Sequence, residues 1–240
     1  QAHKIESNSN LRDWKDFFQS APKQKDSPEN TFDFNKLNKT LTASIPDALN
    51  LLEGSEPVQM QLSYIVFEQS KGITVLHQQL AHQQILFEKF NASWSGKALA
   101  IQQELFPQAI TFSASDYQLI NEILPDLLHM GYQLEPFGVN TFVLQGAPAD
   151  FPSENHRSVI EMILEDVKST TSTLHQSYKE KIAKTMARKH AIKVGLKIDV
   201  SMMREIIDQL SRLPNYHTHF DGKPLYIEVK KDYLGNTFGI

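Results

Sequence analysis

From Gln59 to Val66 polar and apolar residues take turns along the chain. Met60, Leu62, Tyr64 and Val66 share one parity, while Gln59, Gln61 and Ser63 share the other with Ile65. A period of two belongs to a strand, whose successive side chains leave opposite faces of a sheet. It predicts a strand with one strongly apolar face. Gln69-Ser70-Lys71-Gly72 predicts a turn, after which Ile73 to Leu76 returns antiparallel. At Gln78 the spacing changes, and Ala81, Ile85, Phe87 and Phe90 predict a helix to about residue 90. Residues 77 to 88 therefore sit where a strand ends and a helix begins, a common place for ligand or metal chemistry.

The remaining pattern is mixed. Ala98 to Gln102 and Gln108 to Phe112 predict two further strands. Ser113-Ala114-Ser115-Asp116 resembles a capping box and opens a helical stripe of Leu119, Ile120, Ile123, Leu124, Leu127 and Leu128, with Pro125 expected to kink it and Gly131 to end it. Gln133 to Phe137 and Thr141 to Gln145 flank Gly138-Val139-Asn140 as a hairpin. Helices are predicted after Pro152-Ser153, from about Leu174 to Ile192, and after Asp199 or Ser201. Leu225 to Val229 predicts a late strand, and Asp232 to Ile240 a short helix. Strand–helix segments at both ends of a mixed middle predict an α+β fold in two subdomains.

Residues 1 to 56 are rich in Asn, Ser, Lys, Asp and Glu, a composition that buries too little apolar surface to offset chain entropy, so a mostly disordered linker is expected there. Two apolar islands interrupt it: Leu11 to Phe18, and Ile45 to Leu52 at helical spacing. The start at Gln1, without an initiating Met, suggests a piece of something longer.

Composition excludes several functions. With no cysteine, neither a disulfide framework nor a thiolate zinc site is available. A net charge of −4 gives no global positive field for nucleic acid. No apolar run approaches the roughly 20 residues needed to span a bilayer, and no secretory signal opens the chain. A soluble, cytoplasmic protein with no membrane partner is the expectation.

Three motifs in order carry a resemblance. His77-Gln78-Gln79-Leu80 through Gln83 to Glu88, then Ala187-Arg188-Lys189-His190-Ala191-Ile192-Lys193-Val194-Gly195, then His219-Phe220-Asp221-Gly222-Lys223-Pro224 resemble the C-terminal dimerisation domain of the MutL mismatch-repair family, from about Val58 to the C-terminus. Nuclease-active members carry Asp-Gln-His-Ala-x-x-Glu-x-x-x-x-Glu at the first position. Here His77 stands for the Asp, Gln79 for the His, Gln83 for the first Glu, and Glu88 is retained. Arg188 replaces the Cys of the second motif, and His219 and Asp221 fall in the third, where both metal ligands are changed. The resemblance implies that 57–105 and 213–240 form a dimerising subdomain, with 106–212 inserted as a regulatory subdomain. It places the family's ATPase in an N-terminal domain outside this chain, so no cofactor is expected.

Each candidate site has a plainer alternative. His77, His219 and Asp221 could form a rearranged zinc site for a metal-dependent DNA-nicking endonuclease; satisfied surface histidines are the alternative, and the joint loss of ligands disfavours the nuclease. Gln102, Leu105, Phe106 and Pro107 are similar to the short peptide that bacterial repair proteins insert into the sliding clamp, Gln supplying amide hydrogen bonds and Leu and Phe filling an apolar pocket. Otherwise they are a buried strand entry. Lys181, Lys184, Arg188 and Lys189 lie on the densest basic run and could meet DNA weakly and without sequence preference, or form a solvated helix face. Met60, Leu62, Tyr64 and Val66 are either core or the strand that meets a two-fold partner. The reading is a homodimerising, partner-docking domain of a mismatch-repair protein without a nuclease of its own, coupled to the clamp and other repair factors. A generic dimeric module with coincidental motifs is the further alternative.

Overall fold

The computed structural model describes residues 49–151, 155–169 and 175–239. Seven strands and six helices lie among them: β1 Val58–Met60, β2 Tyr64–Gln69, β3 Gly72–His77, α1 Gln78–Ser93, β4 Ile101–Thr111, α2 Ala114–His129, β5 Gln133–Pro136, β6 Thr141–Pro148, α3 His156–Lys168, α4 His175–His190, α5 Val200–Ser211, β7 Tyr226–Lys230 and α6 Lys231–Phe238. The first sheet has the antiparallel order β1-β2-β3-β7, uniting the start and end of the folded region. The second, β4-β6-β5, is built from the middle. The fold is α+β, as expected.

The alternation from Gln59 to Val66 is not one strand. The chain reverses through Gln61, Leu62 and Ser63, and Met60 pairs with Tyr64. Gln61 and Leu62 both take φ +50°, a left-handed conformation that costs a residue with a Cβ about 1 kcal/mol or more. Neighbouring backbone holds the turn: Ser63 N–H donates to Met60, Gly195 N–H to Leu62 and Gln78 N–H to Ser63, at 3.1, 3.0 and 2.9 Å. The parity survives because cross-strand partners share a face. At the next reversal Gly72 is required. A Cβ there would lie 2.1 Å from the Val229 carbonyl oxygen, at φ +150°.

One face of the first sheet is sealed. Ile65, Phe67 and Leu76 are buried with Ala81 and Ile85 of α1 and with Met203, Ile206, Ile207 and Leu210 of α5. α5 therefore packs on the first sheet, whereas 106–212 was expected to form the inserted part; β4 also spans 105/106. Leu49 is buried in the same core, with Leu51 packed beside it, and Leu52 N–H bonds Glu68 O at 2.9 Å. Order thus begins before residue 57, in what was expected to be linker, and 49–52 is not helical. The Leu11 to Phe18 island lies outside the described residues.

The two strands expected at 98–102 and 108–112 are one, β4, with an irregularity at its middle. Gln103 pairs with Gly146 and Gln108 with Leu144, so Glu104 to Pro107 stand opposite Gln145 alone. α2 begins at the expected cap, where Ser113 Oγ accepts from Asp116 N–H, and it runs through the exposed Pro125 to His129. Asp199 caps α5 the same way, accepting from Met202 N–H at 2.7 Å. α3 starts at Asn155, whose Oδ1 accepts from Ser158 N–H.

Candidate functional site

α1 is buried on most of its circumference, and that explains its polar run. Gln78, His82, Gln83 and Gln84 are buried alongside Ala81, Ile85, Leu86 and Phe90. Buried polar side chains are stable only when bonded, and three of these bond remote segments. Gln78 accepts from the Gln59 amide at 2.6 Å and reaches the Leu196 carbonyl. His82 Nδ1 accepts from Ile192 N–H at 2.9 Å, and burial pushes its pKa down to about 3. Gln84 accepts from Phe220 N–H at 2.7 Å and donates to Glu88 at 3.1 Å. Glu88 is half-buried; burial raises its carboxyl pKa against the opposing Gln84 hydrogen bond. His77 is the N-cap, its Nδ1 accepting from Leu80 N–H at 3.3 Å; burial lowers its pKa, its own backbone opposes this, and Lys223 adds to the lowering. Gln79 and Gln83 belong to the same turns of α1. Residues 77 to 88 are a buried polar seam.

Arg188 and Asp221 meet beside Phe220, whose N–H bonds Gln84 of that seam. The Arg188 guanidinium lies 2.8 Å from Asp221 and 3.6 Å from Asp166, with its cation 5.2 Å over the Phe220 ring. His219 is buried, and its Nδ1 accepts from Asp221 N–H at 3.2 Å. Burial pushes its pKa down to about 4 despite Asp221, with Arg188, Lys223 and Lys184 adding to the shift. The donors here do not fit a divalent metal. The one carboxylate beside His219 is engaged by a guanidinium, Lys223 and Lys184 add positive charge, and His77 caps α1 instead of joining them. Among the described residues no three His, Asp or Glu groups are arranged to hold a metal ion.

The basic run is largely used inside the molecule. Lys181 donates to the Asp166 carbonyl, Lys184 pairs with Glu180 at 2.7 Å, and Lys189 reaches Ser158 Oγ at 3.5 Å. Lys181, Lys184 and Arg188 line a cavity of about 220 Å³, but Asp166 and Asp221 line it as well. Its charge is nearly balanced, which weakens any pull on phosphate.

Two apolar features face solvent. In the β4 irregularity Leu105 and Phe106 are 89% and 84% exposed, with Gln102 and Pro107 exposed beside them. They are not a buried strand entry. The second feature is the outward face of the first sheet. Val58 pairs with Val66, Val66 with Val75, and Val75 with Ile227, so four aliphatic side chains form a row across all four strands. Val58 and Ile227 are 59% and 60% exposed; Met60, Leu62 and Tyr64 extend the patch. The periodicity identified Met60, Leu62, Tyr64 and Val66. Only the register shows that Val58, Val75 and Ile227 stand in line with Val66.

Residues 58–198, more than half of the chain, match the family described as the MutL C terminal dimerisation domain. The chain belongs to this family. Among curated relatives, the DNA mismatch repair protein MutL of Chlorobium limicola is 30% identical over 190 residues, 78% of this chain and 30% of the relative. Those of Chlorobium phaeobacteroides and Chlorobium chlorochromatii are 29% and 27% identical over 183 and 181 residues, each covering 75% of this chain and 29% and 28% of theirs. The chain spans less than a third of the length of these MutL relatives. The matched segment contains β1 to β3, the α1 seam and the β4 irregularity. Among the described residues no helix is long and apolar enough to cross a membrane.

Proposed function

We propose that this chain is the self-associating, partner-docking region of a cytoplasmic mismatch-repair protein, and that it cuts no DNA itself. The observation that carries the reading is the aliphatic row Val58-Val66-Val75-Ile227 on an open sheet face, in a chain whose family is described as a dimerisation domain. An exposed row of this kind calls for a cover. A second copy supplies one through an isologous contact, each strand row meeting its own equivalent. In the longer protein such a dimer would hold two ATPase arms together and leave the mismatch-repair partners to act on DNA. Contacts of Lys181, Lys184, Arg188 and Lys189 with DNA would be weak and salt-sensitive.

Docking to the sliding clamp is supported by Leu105 and Phe106, adjacent apolar side chains that nothing among the described residues covers. The absence of nuclease chemistry is supported by the Arg188–Asp221 pair, since the guanidinium engages the carboxylate a cation would need.

Binding and cleavage are tested on the 240-residue chain. Leu105→Ala combined with Phe106→Ala is expected to weaken binding to a purified bacterial sliding clamp by roughly 100-fold or more, as loss of two anchoring side chains does, and to leave the thermal midpoint unchanged. Unchanged clamp affinity would refute the docking reading. With manganese the chain should leave supercoiled plasmid intact. Nicking that disappears in Asp221→Ala would establish the rearranged metal site instead.

A further inference from the structure

Contacts with the body of the molecule flank the β4 irregularity. In a straight strand Glu104 and Phe106 would leave the same face. Here four residues, Glu104 to Pro107, stand opposite one, which frees Phe106 to turn outward beside Leu105. Glu104 turns the other way. Its carboxylate lies 3.7 Å from Nε2 of His156, the first residue of α3. The His156 ring is itself held edge-on against the fully buried Tyr132, centroids 5.9 Å apart at 70°. Gln103 donates to Gln133 of β5 at 2.8 Å. Opposite it Gly146 lets β4 approach closely, since a Cβ there would sit 2.5 Å from Ile101 Cγ2 and 3.1 Å from the Gln102 carbonyl.

We propose that Glu104 and His156 are positioning residues for the Leu105-Phe106 element: their contact fixes the bulge so that both apolar side chains are presented together, already ordered, to a partner with an apolar pocket. The inference rests on the clamp-docking reading above. An element ordered before binding loses less side-chain and backbone freedom on binding, and the tether supplies that order without touching the partner.

The test compares the 240-residue chain with a synthetic peptide of residues 100–109, each titrated with the purified sliding clamp. In the chain, Glu104→Ala and His156→Gln are each expected to weaken binding roughly three- to ten-fold, the scale of releasing one or two ordered side chains. In the peptide, which has no His156 to hold, Glu104→Ala should change nothing. Equal weakening in peptide and chain would mean that Glu104 contacts the clamp directly, and no weakening in either would mean that the tether has no effect; both outcomes overturn the proposal. If His156→Gln lowers the thermal midpoint, Glu104→Gln, which preserves shape and loses the charge, decides between these outcomes in its place. Failure of the Leu105→Ala/Phe106→Ala double variant to weaken binding separates collapse of the docking reading from collapse of the tether alone.

Discussion

Replacing Val75 by glutamate is expected to split a two-chain particle into single folded chains. Val75 stands in the third strand of the four-strand row, paired with Val66 on one side and Ile227 on the other. In a lone chain the new carboxylate would reach water from a half-buried position. In an isologous dimer it would be buried twice, once from each copy, with no cation facing it along the row. Leaving a buried charge without a partner costs about 3 kcal/mol or more, so the dissociation constant should rise by at least roughly 100-fold. Sedimentation velocity at micromolar concentration reads the change, and circular dichroism establishes that the variant remains folded. Ile227→Glu should act the same way, while Glu228→Lys, one residue along on the other parity, should not.

Acid is expected to unfold the molecule well before its carboxylates are all protonated. His82 is buried and His190 half-buried, and their pKa values fall to about 3 and about 4, in each case chiefly through burial. For His190, the neighbouring His156, Lys193 and Lys189 charges add to the lowering. In the unfolded chain both titrate near 6.5. The unfolded state therefore binds more protons as the pH falls below about 6.5, and stability declines from there towards the folded-state values. The decline between pH 7 and pH 4 should be on the order of 5 kcal/mol, comparable to the whole stability of many domains. Urea titrations across that range measure it. His82→Gln, which keeps a hydrogen-bonding side chain for the Ile192 amide, should roughly halve the slope of the decline from about pH 6.5 downward.

Local chemistry made much of the fold legible in the sequence. Ser113 and Asp199 cap helices because a hydroxyl or carboxylate oxygen followed by an apolar stripe leaves few other uses for it. Gly138 and Asn140, both at positive φ, mark the β5–β6 hairpin as their types suggest. The reversal at Gln61 and Leu62 carried no such mark. It is imposed by tertiary hydrogen bonds from Gly195 and Gln78, so a local reading ran straight through it. Parity nevertheless keeps Met60 and Tyr64 on one face, because they pair across the turn.

The site was less legible. His77, Gln79, Gln83 and Glu88 resemble remnants of an active site, but it is Gln84 and His82, at no motif position, that bind Phe220 and Ile192 across more than a hundred residues of chain. Separation of that kind leaves no periodic trace. Arg188 and Asp221 were singled out separately; that the arginine engages the aspartate appears only once α4 and the 219–222 loop are side by side. Glu104 is only a spacer within the 102–107 peptide and His156 lies outside every motif, so nothing in the sequence pairs them.

Sedimentation equilibrium of the 240-residue chain over a range of micromolar concentrations tests the central claim most directly. A mass of twice the 27.4 kDa of one chain, reduced to the single-chain value by Val75→Glu, is the expected result. A single-chain mass for the unsubstituted protein at every concentration would contradict it.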